Sequence, residues 1–94
     1  MALARVVSFE GVTRERVEEL KREVQDGEAP EGLRPTEMIM LHDPDAETSL
    51  VILVFENEDD YRSGDAVLNA MPAGDTPGRR SAVTKYDVAL RRTM

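Results

Sequence analysis

The stretch Ser49-Leu-Val-Ile-Leu-Val-Phe-Glu56 decides how this chain of 94 residues folds. Six consecutive apolar residues, Leu50–Phe55, fill its centre, and β-branched and aromatic side chains of this kind favour a strand. Successive side chains of a strand point to opposite faces, so both faces of this strand are apolar. An antiparallel strand with one face in water would alternate apolar and polar residues instead. We therefore predict a strand in a sheet that needs cover on both faces.

Around this strand, apolar periodicity and turn residues predict six elements in the order strand, helix, strand, strand, helix, strand. The predicted bounds are Ala2–Phe9, Thr13–Gln25, Glu37–His42, Ser49–Glu56, Glu58–Met71 and Ser81–Leu90. The short turn at residues 43–48, which contains a proline, makes the second and third strands an antiparallel hairpin. This β-α-β-β-α-β order is the split pattern of a ferredoxin-like sheet. We predict an α+β fold with two helices on one face of the sheet, formed by one domain over residues 1–94.

Both predicted helices have recognisable first residues and inner faces. Thr13 and Asn57 are of the types that accept a hydrogen bond at a helix N-terminus. Apolar or small residues at helical spacing mark the faces that should turn to the sheet. These are Val17, Leu20 and Val24 in the first helix, and Tyr61, Gly64, Leu68 and Met71 in the second.

Composition excludes several classes of protein. The formal net charge of −7 argues against binding to nucleic acid, because an acidic surface repels phosphate. One histidine and no cysteine leave no cluster for a metal site of the zinc type. The longest strongly apolar run, Leu50–Phe55, is far below the roughly 20 residues of a membrane span. Without a signal-peptide pattern or cysteine, we expect a soluble cytoplasmic protein with no membrane partner and no cofactor.

The apolar faces of the second and third strands also predict a homodimer. Two helices can cover only one face of the sheet, and the other face would be a large apolar patch for a monomer. A second sheet from an identical chain is the simplest cover. The alternative is a monomer in which this apolar face of the sheet remains exposed to solvent.

Four features together resemble the dimeric α/β-barrel superfamily, which includes antibiotic-biosynthesis-type monooxygenases and other small bacterial proteins. They are the element order, Pro30-Glu-Gly-Leu33, Asp43-Pro-Asp45 and Lys85-Tyr-Asp-Val-Ala89. The resemblance implies two ferredoxin-like sheets that pair face to face as a barrel, with a cleft between sheet and helices in each subunit. It also implies small hydrophobic or aromatic ligands, and haem in some members. The chain lacks the tryptophan that several active relatives use.

Three residues are candidates for catalysis. His42 is the one side chain whose ordinary pKa lies near neutrality, so it could act as a base. The alternative is a half-exposed residue hydrogen-bonded to Asp43 or Asp45. Arg5 lies among apolar neighbours and could anchor a carboxylate or enolate ligand. The alternatives are that it pairs with a carboxylate across the dimer, or that it extends from the sheet end to solvent. Tyr86 could direct its hydroxyl into a pocket, but a core tyrosine is the simpler expectation.

Three methionines are candidates for an adaptable apolar ligand pocket, namely Met38, Met40 and Met71. Simple core filling is the alternative for all three. Taken together, the sequence favours a homodimer that binds a small apolar or aromatic molecule between sheet and helices. Two alternatives stay open. One is a cofactor-independent monooxygenase or isomerase of an aromatic or polyketide-like compound, and the other is a structural or regulatory dimer without a ligand.

Overall fold

A computed structural model describes residues 2–27, 30–72 and 76–94. Within these residues the chain forms four strands and two helices in the predicted order. The elements are β1 (Leu3–Glu10), α1 (Arg14–Asp26), β2 (Glu37–Asp43), β3 (Thr48–Phe55), α2 (Glu58–Asn69) and β4 (Arg79–Asp87).

The four strands form one antiparallel sheet in the order β2-β3-β1-β4. β3 lies between β1 and β2, so the strand that is apolar on both faces is internal, as its composition requires. β2 and β3 are the predicted hairpin. The α+β class, the antiparallel sheet and the element order are confirmed, and they are compatible with a ferredoxin-like fold.

The helices begin where their capping residues predict. The Thr13 side chain accepts a hydrogen bond from the backbone N–H of Arg16, and Asn57 accepts one from that of Asp60. Each cap satisfies a backbone donor that the first helical turn leaves unpaired. Glu58, Asp59 and Asp60 then place negative charge at the positive end of α2.

Both helices cover the same face of the sheet, and the core under them is in two parts. Leu3, Leu53 and Phe55 pack against Tyr61 of α2. Farther along β1, its apolar residues pack against α1 in a second cluster formed by Val7, Phe9, Val12 and Val17. Arg5 lies on this same face of β1, between the two clusters.

Gly64 lets α2 approach the sheet closely. A Cβ atom at this position would lie 2.6 Å from Cε1 and Cζ of Phe55, whose side chain is fully buried. Phe55 and Tyr61 meet edge to face, with ring centroids 5.6 Å apart. The glycine predicted on the inner face is therefore required by packing.

Three predicted boundaries or faces are wrong. β4 begins at Arg79 and ends at Asp87 rather than Leu90, because Asp87 already pairs with Leu3, the first residue of β1. α2 ends at Asn69, two residues before Met71. In α1 the predicted inner face of Val17, Leu20 and Val24 does not extend to Val24, which is 55% exposed. Val17 is the buried residue of that helix.

Candidate functional site

A groove of about 690 Å³ lies between α1 and the edge strand β2, on the face of the sheet that the helices cover. The sheet side consists of Met40 and His42, with Pro44 in the hairpin turn. The helix side consists of Arg14, Val17, Glu18 and Lys21, which recur three and four residues apart and so share one face of α1. The groove thus has an apolar floor and a charged rim.

His42 is held at the groove by a hydrogen bond that links two distant segments. Its Nε2 lies 2.9 Å from the carbonyl oxygen of Val12, just before α1. The predicted alternative, a bond to Asp43 or Asp45, is wrong, because the Asp43 carboxylate instead accepts from the backbone N–H groups of Asp45 and Ala46. The turn residues therefore leave the ring free to bond across to Val12.

Arg5 does not face the groove. Its side chain is 3% exposed and lies under α2, where Nε donates to Oδ1 of Asp65 at 2.8 Å and Nη2 donates to Oδ1 of Asn69 at 3.1 Å. Asn69 in turn donates to the other oxygen of Asp65 at 3.2 Å. These three side chains form a closed ring of hydrogen bonds within one chain. The predicted carboxylate partner across a dimer is therefore wrong, because Asp65 of the same chain takes that place.

A second cation beside Arg5 also ties α2 to the sheet. Lys85 is the register partner of Arg5 on β4, and its ammonium group contacts both carboxylate oxygens of Glu58, the nearer at 2.7 Å. That hydrogen bond holds the pKa of Glu58 below its usual 4.5. The Lys85 ammonium also lies 4.9 Å from the ring centroid of Tyr61. Burial raises the pKa of Tyr61 above its usual 10.0.

Tyr86 lies on the opposite face of the sheet from Arg5 and His42. It pairs with Ala4 on β1, and its side chain is 54% exposed. The expectation of a core tyrosine is therefore wrong for a single chain. The three candidate catalytic residues do not converge on one site.

The three candidate methionines also separate. Met40 lines the groove and packs against the α1 part of the core. Met38 shares its face of β2 but is 47% exposed and is not among the groove residues. Met71 follows α2, and it too is outside the groove. Only Met40 among them is placed to contact a molecule in the groove.

The charged residues of the groove were missed by sequence reasoning. The sequence analysis singled out none of Arg14, Glu18 and Lys21 as site residues. Their spacing of four and three residues was the available signal, because it places them on one helix face beside Val17. What the spacing could not reveal is that this face lies next to Met40 and His42.

The helix-free face of the sheet carries apolar residues on all four strands. Ile39 and Leu41 of β2, Leu50 of β3 and Tyr86 of β4 are exposed there, beside the half-buried Val6 and Ile52. We call this set the open face. A second depression of about 400 Å³ lies at its end, where Leu41 and Leu50 meet the hydrogen-bonded hydroxyls of Ser8 and Ser81.

Two searches for other kinds of site in the described residues are negative. No group of three or more His, Cys, Asp or Glu side chains in those residues could hold a metal ion. Neither α1 nor α2 has the length and apolar character needed to span a membrane.

The fold and the groove define a small α+β domain with one helix-covered face and one open apolar face. No family model matches the chain, and no curated protein matches it significantly.

Proposed function

We propose that this protein is a cytoplasmic homodimer of the dimeric α/β-barrel type that binds a small apolar or aromatic molecule in the groove between α1 and β2. The observation that carries the proposal is the groove itself. Its volume of about 690 Å³ falls in the range of ligand pockets, roughly 300–1,000 Å³. Its floor of Val17, Met40 and Pro44 is apolar, while polar groups stand at its rim.

The open face supports the dimer. Four strands about 4.8 Å apart and about 8 residues long give a sheet face of roughly 500 Å², and its exposed apolar residues are spread over that face. The twofold pairing of two such faces would bury the same residues from each chain. The open face of a second copy matches this face in size and in apolar character, so the proposed dimer requires no protein other than this chain.

The dimer is tested by two substitutions on β2 that differ only in the face they occupy. Leu41→Asp places a charge on the open face, and Met38→Asp places one on the helix-covered face. The two side chains are similarly exposed, at 49% and 47%. Light scattering of the unmodified protein should give twice the 10.5 kDa chain mass. Leu41→Asp should give the single-chain mass, because a buried unpaired charge costs several kcal/mol.

Met38→Asp should remain dimeric. If the unmodified protein has the mass of one chain at micromolar concentration, the dimer is wrong. If both variants dissociate alike, the open face is not the interface.

Ligand binding is tested by thermal unfolding with a panel of anthrone-like, phenolic and lactone compounds. A ligand at 100 times its dissociation constant stabilises the folded state by about 2.7 kcal/mol. For a domain of this size that raises the melting temperature by about 10 °C or more. Met40→Gln, which places an amide in the groove floor, should reduce the shift, and Met38→Gln on the same strand should not.

If no compound raises the melting temperature, the small-molecule proposal fails and the ligand-free structural dimer takes its place. A shift that Met40→Gln leaves unchanged would place the ligand outside this groove.

An enzyme is the second candidate, and His42 is the observation that favours it. This ring lines the groove, and only its Nε2 is engaged by the described residues. It is thus placed to take a proton from a bound phenol or enol, as a cofactor-independent monooxygenase or isomerase would require. Arg5 and Tyr86 give this candidate no support, since one is held by Asp65 and the other lies on the opposite face. The enzyme candidate would be supported if the protein converts a bound compound and if His42→Ala abolishes this turnover while binding persists.

A further inference from the structure

Arg14 gives the groove an unpaired positive charge. Within the part of the chain that the structure describes, its guanidinium makes no ion pair or hydrogen bond. Of the other two charged residues at the rim, Glu18 and Lys21 pair with each other at 3.1 Å. The rim therefore carries one uncompensated positive charge, although the chain as a whole carries −7.

The position of Arg14 adds to this charge. Arg14 is the first residue of α1, directly after the Thr13 cap. The aligned peptide dipoles of a helix make its N-terminus positive, so a negative group near Arg14 is stabilised by both. An anion is the complementary ligand group at this end of the groove, and a cation is disfavoured.

His42 defines the second polar position. A carbonyl oxygen only accepts hydrogen bonds, so the Nε2 atom that bonds to Val12 carries the proton. In the neutral ring, Nδ1 is then an acceptor. It has no partner among the described residues. A ligand hydroxyl can donate to it, whereas a carbonyl or ether oxygen cannot.

We propose that the groove takes a hydroxylated aromatic carboxylate, with the carboxylate on Arg14 and the hydroxyl donating to Nδ1 of His42. The aromatic ring lies on the apolar floor of Val17, Met40 and Pro44. This inference rests on the proposed function, because it assigns a ligand class to the same groove. It goes further by requiring two particular substituents on the ring.

The test uses four probes that share one benzene ring and differ in its substituents: 4-hydroxybenzoate, 3-hydroxybenzoate, benzoate and phenol. Dissociation constants are measured at pH 8 from chemical-shift changes of the backbone amides of the full chain. The better of the two hydroxybenzoates should bind about tenfold more tightly than benzoate or phenol, because each lost partner removes one hydrogen bond to the groove.

Two variants assign the substituents. Arg14→Gln should weaken hydroxybenzoate binding about tenfold and leave phenol binding unchanged. His42→Phe should remove the preference for hydroxybenzoate over benzoate. Arg92→Gln, which removes an equal charge from the exposed C-terminal segment, is the control and should change neither constant more than twofold.

The outcomes separate this inference from the proposed function. If phenol and benzoate bind in the groove as tightly as the hydroxybenzoates, or if Arg14→Gln changes no dissociation constant, the ligand class is wrong while the groove remains a binding site. If none of the four probes shifts the amides of α1 and β2, the ligand class is overturned. If the wider apolar panel also fails, the proposed function falls with it.

Discussion

Replacing Asp65 with leucine tests whether Arg5 is a structural residue or a ligand-binding one. The substitution leaves the Arg5 guanidinium, 3% exposed, without its carboxylate at 2.8 Å. Removing one partner of a fully buried ion pair costs about 3–5 kcal/mol. Asp65 is itself 36% exposed and Asn69 still accepts one hydrogen bond. We therefore expect a smaller loss of stability than for a fully buried pair, about 2–3 kcal/mol.

The matched variant Arg5→Met removes the charge and keeps an apolar chain of similar length. The remaining Asp65 can then turn to solvent, so we expect a loss of about 1 kcal/mol or less. The double variant Arg5→Met/Asp65→Leu should also lie within about 1 kcal/mol of the unmodified protein, since an apolar pair often replaces a buried ion pair without loss. The two substitutions should therefore be strongly non-additive.

The assay is urea unfolding at one fixed protein concentration, because the proposed dimer would make stability depend on concentration. Lys21→Met is the control, since it breaks the pair of Lys21 with Glu18 at 3.1 Å in which both side chains are 59% exposed. It should cost no more than about 1 kcal/mol. The reasoning is refuted if Asp65→Leu costs no more than Lys21→Met, or if the effects in the double variant simply add. If Arg5→Met also loses ligand binding in the groove, Arg5 is a ligand-binding residue and the structural assignment is wrong.

Three further predictions concern α2. Gly64→Ala should lower the free energy of unfolding by about 1–2 kcal/mol, because displacing the buried Phe55 ring outweighs the gain of about 1 kcal/mol in helix propensity; a higher urea midpoint would contradict this. Asn57→Ala should cost about 0.5–2 kcal/mol by removing the helix cap, and an unchanged midpoint would mean that the cap contributes nothing. The pKa of Glu58 is lowered in the folded state by Lys85, so the stability from this pair is present above pH 4.5 and is lost as the pH falls through the folded pKa. Glu58→Gln should therefore lessen the loss of stability in acid, and an identical acid profile would show that the pair has no such effect.

Much of the secondary structure could be predicted from the sequence because its causes are local. Thr13 and Asn57 bond to backbone groups three residues away, so the residue type and its position suffice to start each helix. The unbroken run Leu50–Phe55 indicates an internal strand by its composition alone. The element order then limits the fold to few arrangements.

The end of β4 could not be predicted in this way. Its alternating residues continue to Leu90, but a strand lasts only as long as its neighbour supplies backbone partners. β1 begins at Leu3, opposite Asp87. After that residue, the bond from the Val88 N–H to the Ala2 carbonyl is the one backbone bond that continues the pairing among the described residues. The length of β4 is therefore a property of two strands together.

For the candidate site too, some features are local to the sequence and others depend on contacts between distant segments. The sequence by itself determined that His42 shares a face of its strand with Met38 and Met40, since strand parity is a local property. That Arg5 of β1 lies on the same face of the sheet follows only from the strand register. Only the tertiary structure decided that Arg5 is occupied by Asp65, which is 60 residues away, and that His42 bonds to a carbonyl 30 residues away. Both contacts depend on where the helices pack on the sheet. Periodicity placed Gly64 on the inner face of α2, but that its missing Cβ makes room for the Phe55 ring of β3 depends on how the two elements pack together.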